Sequence, residues 1–470
     1  MTTGARVTGT VALVLVLGAG AYATADAHDV VPGIVTLAPP VPDPSPFPTA
    51  PGALAPTAVP RALDDLDPQV PPPSPAAVQA LVDGLVADAR LGPSVGVVVA
   101  DQLTGEVLGA HQPDAGRVPA STAKLLTGVA ALSALDPDAT LPTRVLALDG
   151  DRIALVGGGD VLLAAGEGNP DAVEGRAGMA DLARRTADAL ALRGTTSVEL
   201  VVDDTLFSGP TEHPTWDADY VDMGFTAPIT ALAVDLGKLR PGPNPPRAAD
   251  PSVAAAEIFA TRLAEAGITV TGGPSRAPQP VEGSELARVE SAPLADVTHY
   301  FLDTSDNTVT EVVARLVAVD AGLPGSFEGG TQAVLRAVGA LGVDVSGARL
   351  VDASGLAATS SLSPALLADL VRLTTDPAHP RLRDVATGMP VAGLTGTLGD
   401  RFTTSPARGL VRAKTGSLPA VTSLAGTVLD AQGRQLVFVV MADQTPPGGQ
   451  WAPRQAVDAF VTELAGCGCR

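Results

Sequence analysis

The first strong pattern along the chain is an unbroken apolar run at residues 94–100, SVGVVVA, too short for a helix and rich in valine. Such a run reads as a buried strand. Residues 102–105 (QLTG) supply a turn and residues 106–110 return, which predicts a hairpin. A helix follows Pro119. Leu125, Val129 and Leu132 recur at i, i+4 and i+7 and give it an apolar face. That spacing puts Ser121 near the helix start, with Lys124 one turn on and on the same side. From about 140 to 290 the pattern changes. Short strand-like pieces at 152–156 and 197–202 and a helical stretch near 180–192 lie between turns such as Pro241-Gly242-Pro243 and Gly272-Gly273-Pro274. Helical patterning resumes at 294–302, breaks at Thr304-Ser305-Asp306-Asn307 and continues at 311–319. Strands are predicted at 409–414, 422–429 and 435–441, and a last helix near 454–464. The early hairpin and the late three-strand meander are expected to join as one antiparallel sheet flanked by helices. No internal repeat is visible.

Composition narrows the picture. Apolar residues make up 46% of the 470, but aromatics only 3%, so the core is aliphatic. The net charge of −21 excludes a nucleic-acid partner, which needs a basic stripe, and charge-driven binding to an anionic membrane. At the N-terminus, Arg6 precedes an apolar run at 11–17. Ala23-Thr24-Ala25 and Ala25-Asp26-Ala27 follow as cleavage candidates. Residues 1–27 are therefore expected to be an export signal, or a membrane anchor where uncleaved. Residues 28–75 are rich in proline and alanine and are expected to be a disordered linker. The two cysteines, Cys467 and Cys469, are too close to close a long loop. A disulfide across them would be tight, and a frayed tail without function is the simpler reading. The five histidines are scattered, so no metal site is expected, and no cofactor is implied.

Lysine changes the picture most. Of 30 basic residues only three are lysines: Lys124, Lys238 and Lys414. The bias towards alanine, glycine, proline and arginine looks genome-wide, which makes the retained lysines more telling. Lys124 closes Ser121-Thr122-Ala123-Lys124, and Lys414 opens Lys414-Thr415-Gly416-Ser417. An amine can lose its proton when desolvated and act as a base; a guanidinium cannot. Ser121 is the candidate nucleophile, at a helix start that aims N–H groups at developing negative charge. Lys124 is the candidate base, if burial and a second cation such as Lys414 lower its pKa. Ser305 can relay a proton to a leaving amine, and Asn307 can hold Lys124 and a substrate amide. Lys414 with Thr415 can bind a terminal carboxylate, and Gly416 would let a substrate backbone come close. The N–H groups of Ser417 and Ser121 could form an oxyanion hole. Each string alone is weak, and Ser305 alone would read as a helix cap. Three in order, on helix start, loop and strand, are far less expected by chance. Gly157-Gly158-Gly159-Asp160 lacks phosphate-loop spacing and reads as a turn.

The order S-x-x-K, S-x-N, K-T-G resembles that of serine acyl-enzymes that bind penicillin. Beyond the motifs, the chain resembles the D-alanyl-D-alanine carboxypeptidase/endopeptidase family, the class C low-molecular-mass penicillin-binding proteins. The likeness covers nearly everything after residue 75. It is carried by PASTAKLLTGVAAL (119–132), VVDDTLFSGP (201–210), FTAPITALAVD (225–235), FLDTSDNTVTEVVAR (301–315), VDASGLAATSSLSP (351–364), GLTGTLGDRF (393–402) and VRAKTGSLPAVTSLAGTV (411–428). It implies an α+β fold: a penicillin-binding peptidase domain at 76–140 and 291–466, interrupted by a mainly β or mixed module at 141–290. It also implies an exported, extracytoplasmic serine carboxypeptidase, with endopeptidase action as a second capacity. Ser121 would be acylated by peptidoglycan stem peptides, and by β-lactams as covalent inhibitors. Two departures stand out. The 181 residues from Lys124 to Ser305 are few for the two extra domains the family places there, so one is expected to be reduced. Thr308 stands where a bulkier apolar residue is usual, which bears on substrate fit. The competing readings are a wall-binding scaffold with a relic site and a β-lactamase.

Overall fold

The computed structural model describes residues 19–28, 30–31 and 67–468. The chain divides into two units, 1–64 and 65–470. In the first, residues 19–27 are helical, while the apolar run at 11–17 and the Pro/Ala-rich residues 32–66 lie outside the described residues. No described helix is long and apolar enough to cross a membrane.

The second unit begins with α1 (Pro75–Val86), the hairpin β1 (Val95–Asp101) and β2 (Val107–His111), and α2 (Lys124–Ala134). Next come β3 (Pro142–Ala147), β4 (Arg152–Val156), α3 (Met179–Ala191) and β5 (Ser197–Asp203). They are followed by α4 (Pro251–Glu265), β6 (Thr269–Val270), β7 (Ser275–Arg276) and β8 (Ser284–Glu290). Five helices then run in succession: α5 (Leu294–Thr304), α6 (Asn307–Asp320), α7 (Phe327–Ala340), α8 (Pro364–Thr374) and α9 (Arg383–Gly388). The chain closes with β9 (Val411–Leu418), β10 (Val421–Leu429), β11 (Gln435–Ala442) and α10 (Trp451–Ala465).

The hairpin and the meander do join. The first sheet has the order β2-β1-β11-β10-β9, and every pairing is antiparallel. Strands β1 and β11 read as near-continuous apolar runs because helices cover both faces. Successive side chains point to opposite sides. Val437, Val439 and Met441 enter a core shared with α2, α5, α6, α7 and α8. Leu436, Phe438, Val440 and Ala442 enter another, shared with α1 and α10. A buried ion pair ties the start of the second unit to this sheet. Arg434 donates to Asp101 through Nε at 2.5 Å and Nη2 at 2.7 Å, and through Nη1 to the Val70 carbonyl at 3.0 Å. Burial pushes the Asp101 carboxyl up, but hydrogen bonds from Arg434 and Thr104 outweigh it and leave it below its ordinary value.

The second sheet, order β6-β5-β4-β3-β8 with β7 beside β5, lies wholly between α2 and α5 in sequence. It is mixed: β3 pairs antiparallel with β4 and β8, and β4 pairs parallel with β5 across the α3 crossover. Its own core packs α3 and α4 on one face, with Phe259 fully buried. Between β5 and α4, residues 204–250 hold no regular element beyond a single 3-10 turn. At the other end Cys467 is buried and disulfide-bonded, which corrects the expectation of a frayed tail there; Cys469 lies outside the described residues.

Candidate active site

Ser121 lies in a 3-10 turn, Ala120–Ala123, that runs directly into α2. The turn is held from both sides. Ser423 on β10 donates to the Pro119 carbonyl at 2.7 Å. On the other side the Ala120 carbonyl presses on Gly355, where a Cβ would sit 1.9 Å from it, so only glycine fits. Ala120 itself takes a left-handed φ of 48°, a conformation that costs a non-glycine residue about 1–2 kcal/mol. Backbone strain thus sits immediately before the candidate nucleophile.

Lys124 is fully buried, and its Nζ has three neighbours. They are Ser121 Oγ at 3.1 Å, Asn307 Oδ1 at 2.6 Å and the Ser354 carbonyl at 2.7 Å. The Asn307 amide is oriented unambiguously, because its Nδ2 donates to the Phe225 carbonyl at 2.8 Å. Two of the three neighbours are therefore pure acceptors. A neutral amine can donate to both and turn its lone pair to the Ser121 hydroxyl. Burial lowers the Lys124 pKa to about 8, against the opposing pull of Asp352, Glu311 and Asp306. Lys414, also fully buried, is held well below its ordinary value by burial and then by the Lys124 charge. Burial, the first of the two causes expected, is thus the main one for Lys124, and Lys414 lies close enough for the two charges to disfavour each other.

Ser305 is the left-handed residue between α5 and α6, with φ 63°. It does not cap α6. Asp306 does, accepting from Val309 N–H at 2.8 Å, which frees Ser305 to face the cleft. Thr308 points inward, where its Oγ1 accepts from Ala227 N–H at 2.9 Å and so fixes the segment whose Phe225 carbonyl orients Asn307.

Strand β9 forms the edge of the first sheet and carries Lys414, Thr415, Gly416 and Ser417 within one extended run. Ala413 N–H bonds the Pro390 carbonyl at 3.0 Å, and the Val411 carbonyl accepts from Ala392 N–H at 3.0 Å, so odd-numbered residues direct their main-chain groups away from β10. Strand alternation sends the Ser417 N–H to that same open side. Gly416 has a reason other than the expected one: a Cβ there would meet Ser423 Oγ at 2.1 Å and the Pro119 carbonyl at 2.7 Å, inside the protein. Ser121, Ser305, Thr415 and Ser417 line one open cleft of about 1380 Å³, together with Thr397, Trp451 and Arg454. Thr397 and Thr415 share a hydroxyl hydrogen bond of 2.7 Å.

The structure thus brings together all eight residues singled out in the sequence. Sequence reasoning missed the groups behind Lys124. Glu311 accepts from Ser354 N–H at 2.7 Å, and burial together with Asp352 lifts its carboxyl to about 7. Asp352 accepts from Trp216 Nε1 at 2.8 Å, Gly355 N–H at 2.9 Å and Ala357 N–H at 2.7 Å, which fixes the turn that presents the Ser354 carbonyl. The stretch at 351–364 was visible as a resemblance, but its contact with Lys124 is made by main chain and leaves no residue signature. No cluster of metal-ligating side chains occurs among the described residues.

The chain is similar to known proteins in both sequence and fold. The model of the D-Ala-D-Ala carboxypeptidase 3 (S13) family matches residues 78–247 and 240–464. A carboxypeptidase of Mycobacterium tuberculosis is 37% identical over 408 residues, covering 84% of this chain and 85% of that protein. Carboxypeptidase DacB of Mycolicibacterium smegmatis is 36% identical over 395 residues, covering 82% and 84%. Penicillin-binding protein 4 of Haemophilus influenzae shares the fold, with a TM-score of 0.70 over 82% of this chain and 99% of that one at 22% identity. On the match of both halves of the chain, this protein belongs to the D-Ala-D-Ala carboxypeptidase 3 (S13) family of serine-type peptidases.

Proposed function

We propose that Ser121 is the acylating nucleophile of a carboxypeptidase that trims the terminal D-alanine from peptidoglycan stem peptides. One observation carries this reading: a buried Lys124, with a pKa near 8, holds Ser121 Oγ on one side and two fixed acceptors on the other. Lys124 takes the hydroxyl proton as Ser121 Oγ bonds to the carbonyl carbon. The oxyanion rests on the N–H groups of Ser121 and Ser417. The proton passes through the Ser305 hydroxyl to the leaving amine, the peptide C–N bond breaks, and D-alanine departs. Water, deprotonated by Lys124, then cleaves the ester and restores Ser121. Asn307 fixes Lys124, while Lys414 and Thr415 stand beside the leaving residue. The extended edge of β9 would receive the substrate as an added strand. β-Lactams present a strained cyclic amide in place of the scissile peptide bond and would acylate Ser121.

This chemistry has its substrate outside the cytoplasmic membrane. The N-terminal 27 residues serve in this reading as the export signal, with the Pro/Ala-rich stretch as a spacer. The test is covalent labelling with a fluorescent penicillin, read by intact mass on wild type and Ser121→Ala. A stable adduct on wild type alone is expected. No adduct on folded wild type would sink the acyl-enzyme and favour a wall-binding scaffold; rapid loss of the label would favour a β-lactamase.

A further inference from the structure

The motif's own cation does not line the cleft. A terminal carboxylate needs a standing cation within reach. Lys414 is fully buried and, among the described residues, donates only to the Thr415 carbonyl, at 3.2 Å. Burial and the neighbouring Lys124 favour its neutral form. A guanidinium keeps its charge where an ammonium does not, and one is present in the same cleft. Arg454, half-buried near the start of α10, donates through Nη2 to Ser417 Oγ at 3.0 Å. Its position is set by α10, which Gln450 ties to β9 through the Leu418 carbonyl at 2.7 Å. Arg454 has no carboxylate within ion-pair distance among the described residues. Asp458, one turn on, is taken by Arg401. Nor does Arg454 serve its helix, since a cation near a helix N-terminus opposes the macrodipole. It stands against the same residue whose N–H faces the open edge where the scissile carbonyl would sit. The leaving residue's carboxylate lies only one residue's backbone from that carbonyl.

We propose that Arg454 is a specificity-determining residue that binds the free α-carboxylate of the leaving C-terminal residue and so directs the site to chain ends. This rests on the acyl-enzyme reading above. Lys414, buried behind β9, then shapes the strand while Arg454 reaches the carboxylate from α10. The guanidinium would leave Ser417 Oγ for the carboxylate, or share it, as its planar fork permits.

The test uses two acyl-D-alanyl thioesters identical except at the leaving group, one ending in a carboxylate and the other in a carboxamide. Thioesters react readily enough for both to be followed. The readout is the ratio of their kcat/KM values, which does not depend on the fraction of active protein. In wild type the carboxylate should be favoured at least tenfold. Arg454→Gln should reduce that ratio about ten- to a hundredfold, the range for a hydrogen bond to a charged group. Arg454→Lys should restore part of it. An unchanged ratio in Arg454→Gln overturns the proposal, because a purely structural role would slow both compounds alike. So does a wild type without preference, a result that needs no variant to fold. If wild type is acylated by neither thioester nor by penicillin, the acyl-enzyme reading has failed instead.

Discussion

The two sheets of the folded unit keep their ion pairs in different settings. Around the antiparallel sheet, Lys124, Lys414, Glu311, Asp352, Asp101 and Arg434 are all buried, each with named partners. Around the mixed sheet the ion pairs Arg152–Glu199, Arg184–Asp181, Arg276–Asp250 and Arg288–Glu290 all keep at least one partner substantially exposed. Exposed pairs contribute about 0–1 kcal/mol each. Buried charges are costly unless fully partnered, and the cost is what moves their pKa values. Burial of this kind tunes reactivity at Lys124 and Lys414 and holds the sheet together at Asp101 and Arg434. The mixed sheet's side of the chain still reaches the site, through the Phe225 carbonyl and the Trp216 indole.

Four experiments put this difference to the test. The largest effect is expected for Lys124→Arg, which keeps the charge and removes the base. Acylation by penicillin should fall about a thousandfold or more. Acylation within tenfold of wild type would remove Lys124 from the base role. Next, Asp101→Asn leaves Arg434 buried without its counter-charge and should cost about 3–5 kcal/mol of stability in denaturant unfolding. Since the Asp101 carboxyl is held below its ordinary value, its stabilisation is complete at neutral pH and is lost as the pH falls through the carboxylate range. A stability that rose on acidification to pH 3 would contradict the pair.

Phe259→Ala, in the other core, should cost a similar ~3–5 kcal/mol but leave acylation unchanged while the protein stays folded. A parallel loss of acylation would show that the two regions are more tightly linked than the contrast holds. The smallest effect is on pH. If neutral Lys124 is the base, kcat/KM should climb about tenfold per unit below pH 8 and level off above it. A flat profile from pH 6 to 9 would detach the rate from that proton.

Much of the antiparallel sheet was legible in the sequence. Residues 94–100 and 435–441 have continuous apolar runs because both faces are covered, and the turns at 102–105 and 430–433 punctuate them. By contrast, α4 escaped notice: two of the positions on its buried face, Ala255 and Ala256 beside Phe259 and Leu263, are alanines that give little contrast against an alanine-rich chain. The strand at 284–290 was hidden by its charged, exposed positions Glu285 and Arg288. Within the site, side chains with rare chemistry announced themselves, lysine above all. What stayed silent was main chain. The carbonyls of Ser354, Phe225 and Pro119 position Lys124, Asn307 and Ser423, yet any residue can supply a carbonyl. Arg454 was silent for another reason, since arginine is the common cation of this chain and its neighbour Ser417 lies 37 positions away.

The Arg434 clamp also has a mechanical meaning. A pull entering the folded unit from its N-terminal side meets the hydrogen bond between Arg434 and the Val70 carbonyl before it meets α1 or any strand. Through Arg434 and Asp101 the load passes into β1 and β11, which are paired along seven residues at the centre of the sheet. Strand β9, with the cleft along it, lies on the far side of β10 from that path. Tension applied from the N-terminal side would therefore be borne by the sheet's middle, and the reacting edge would stay slack.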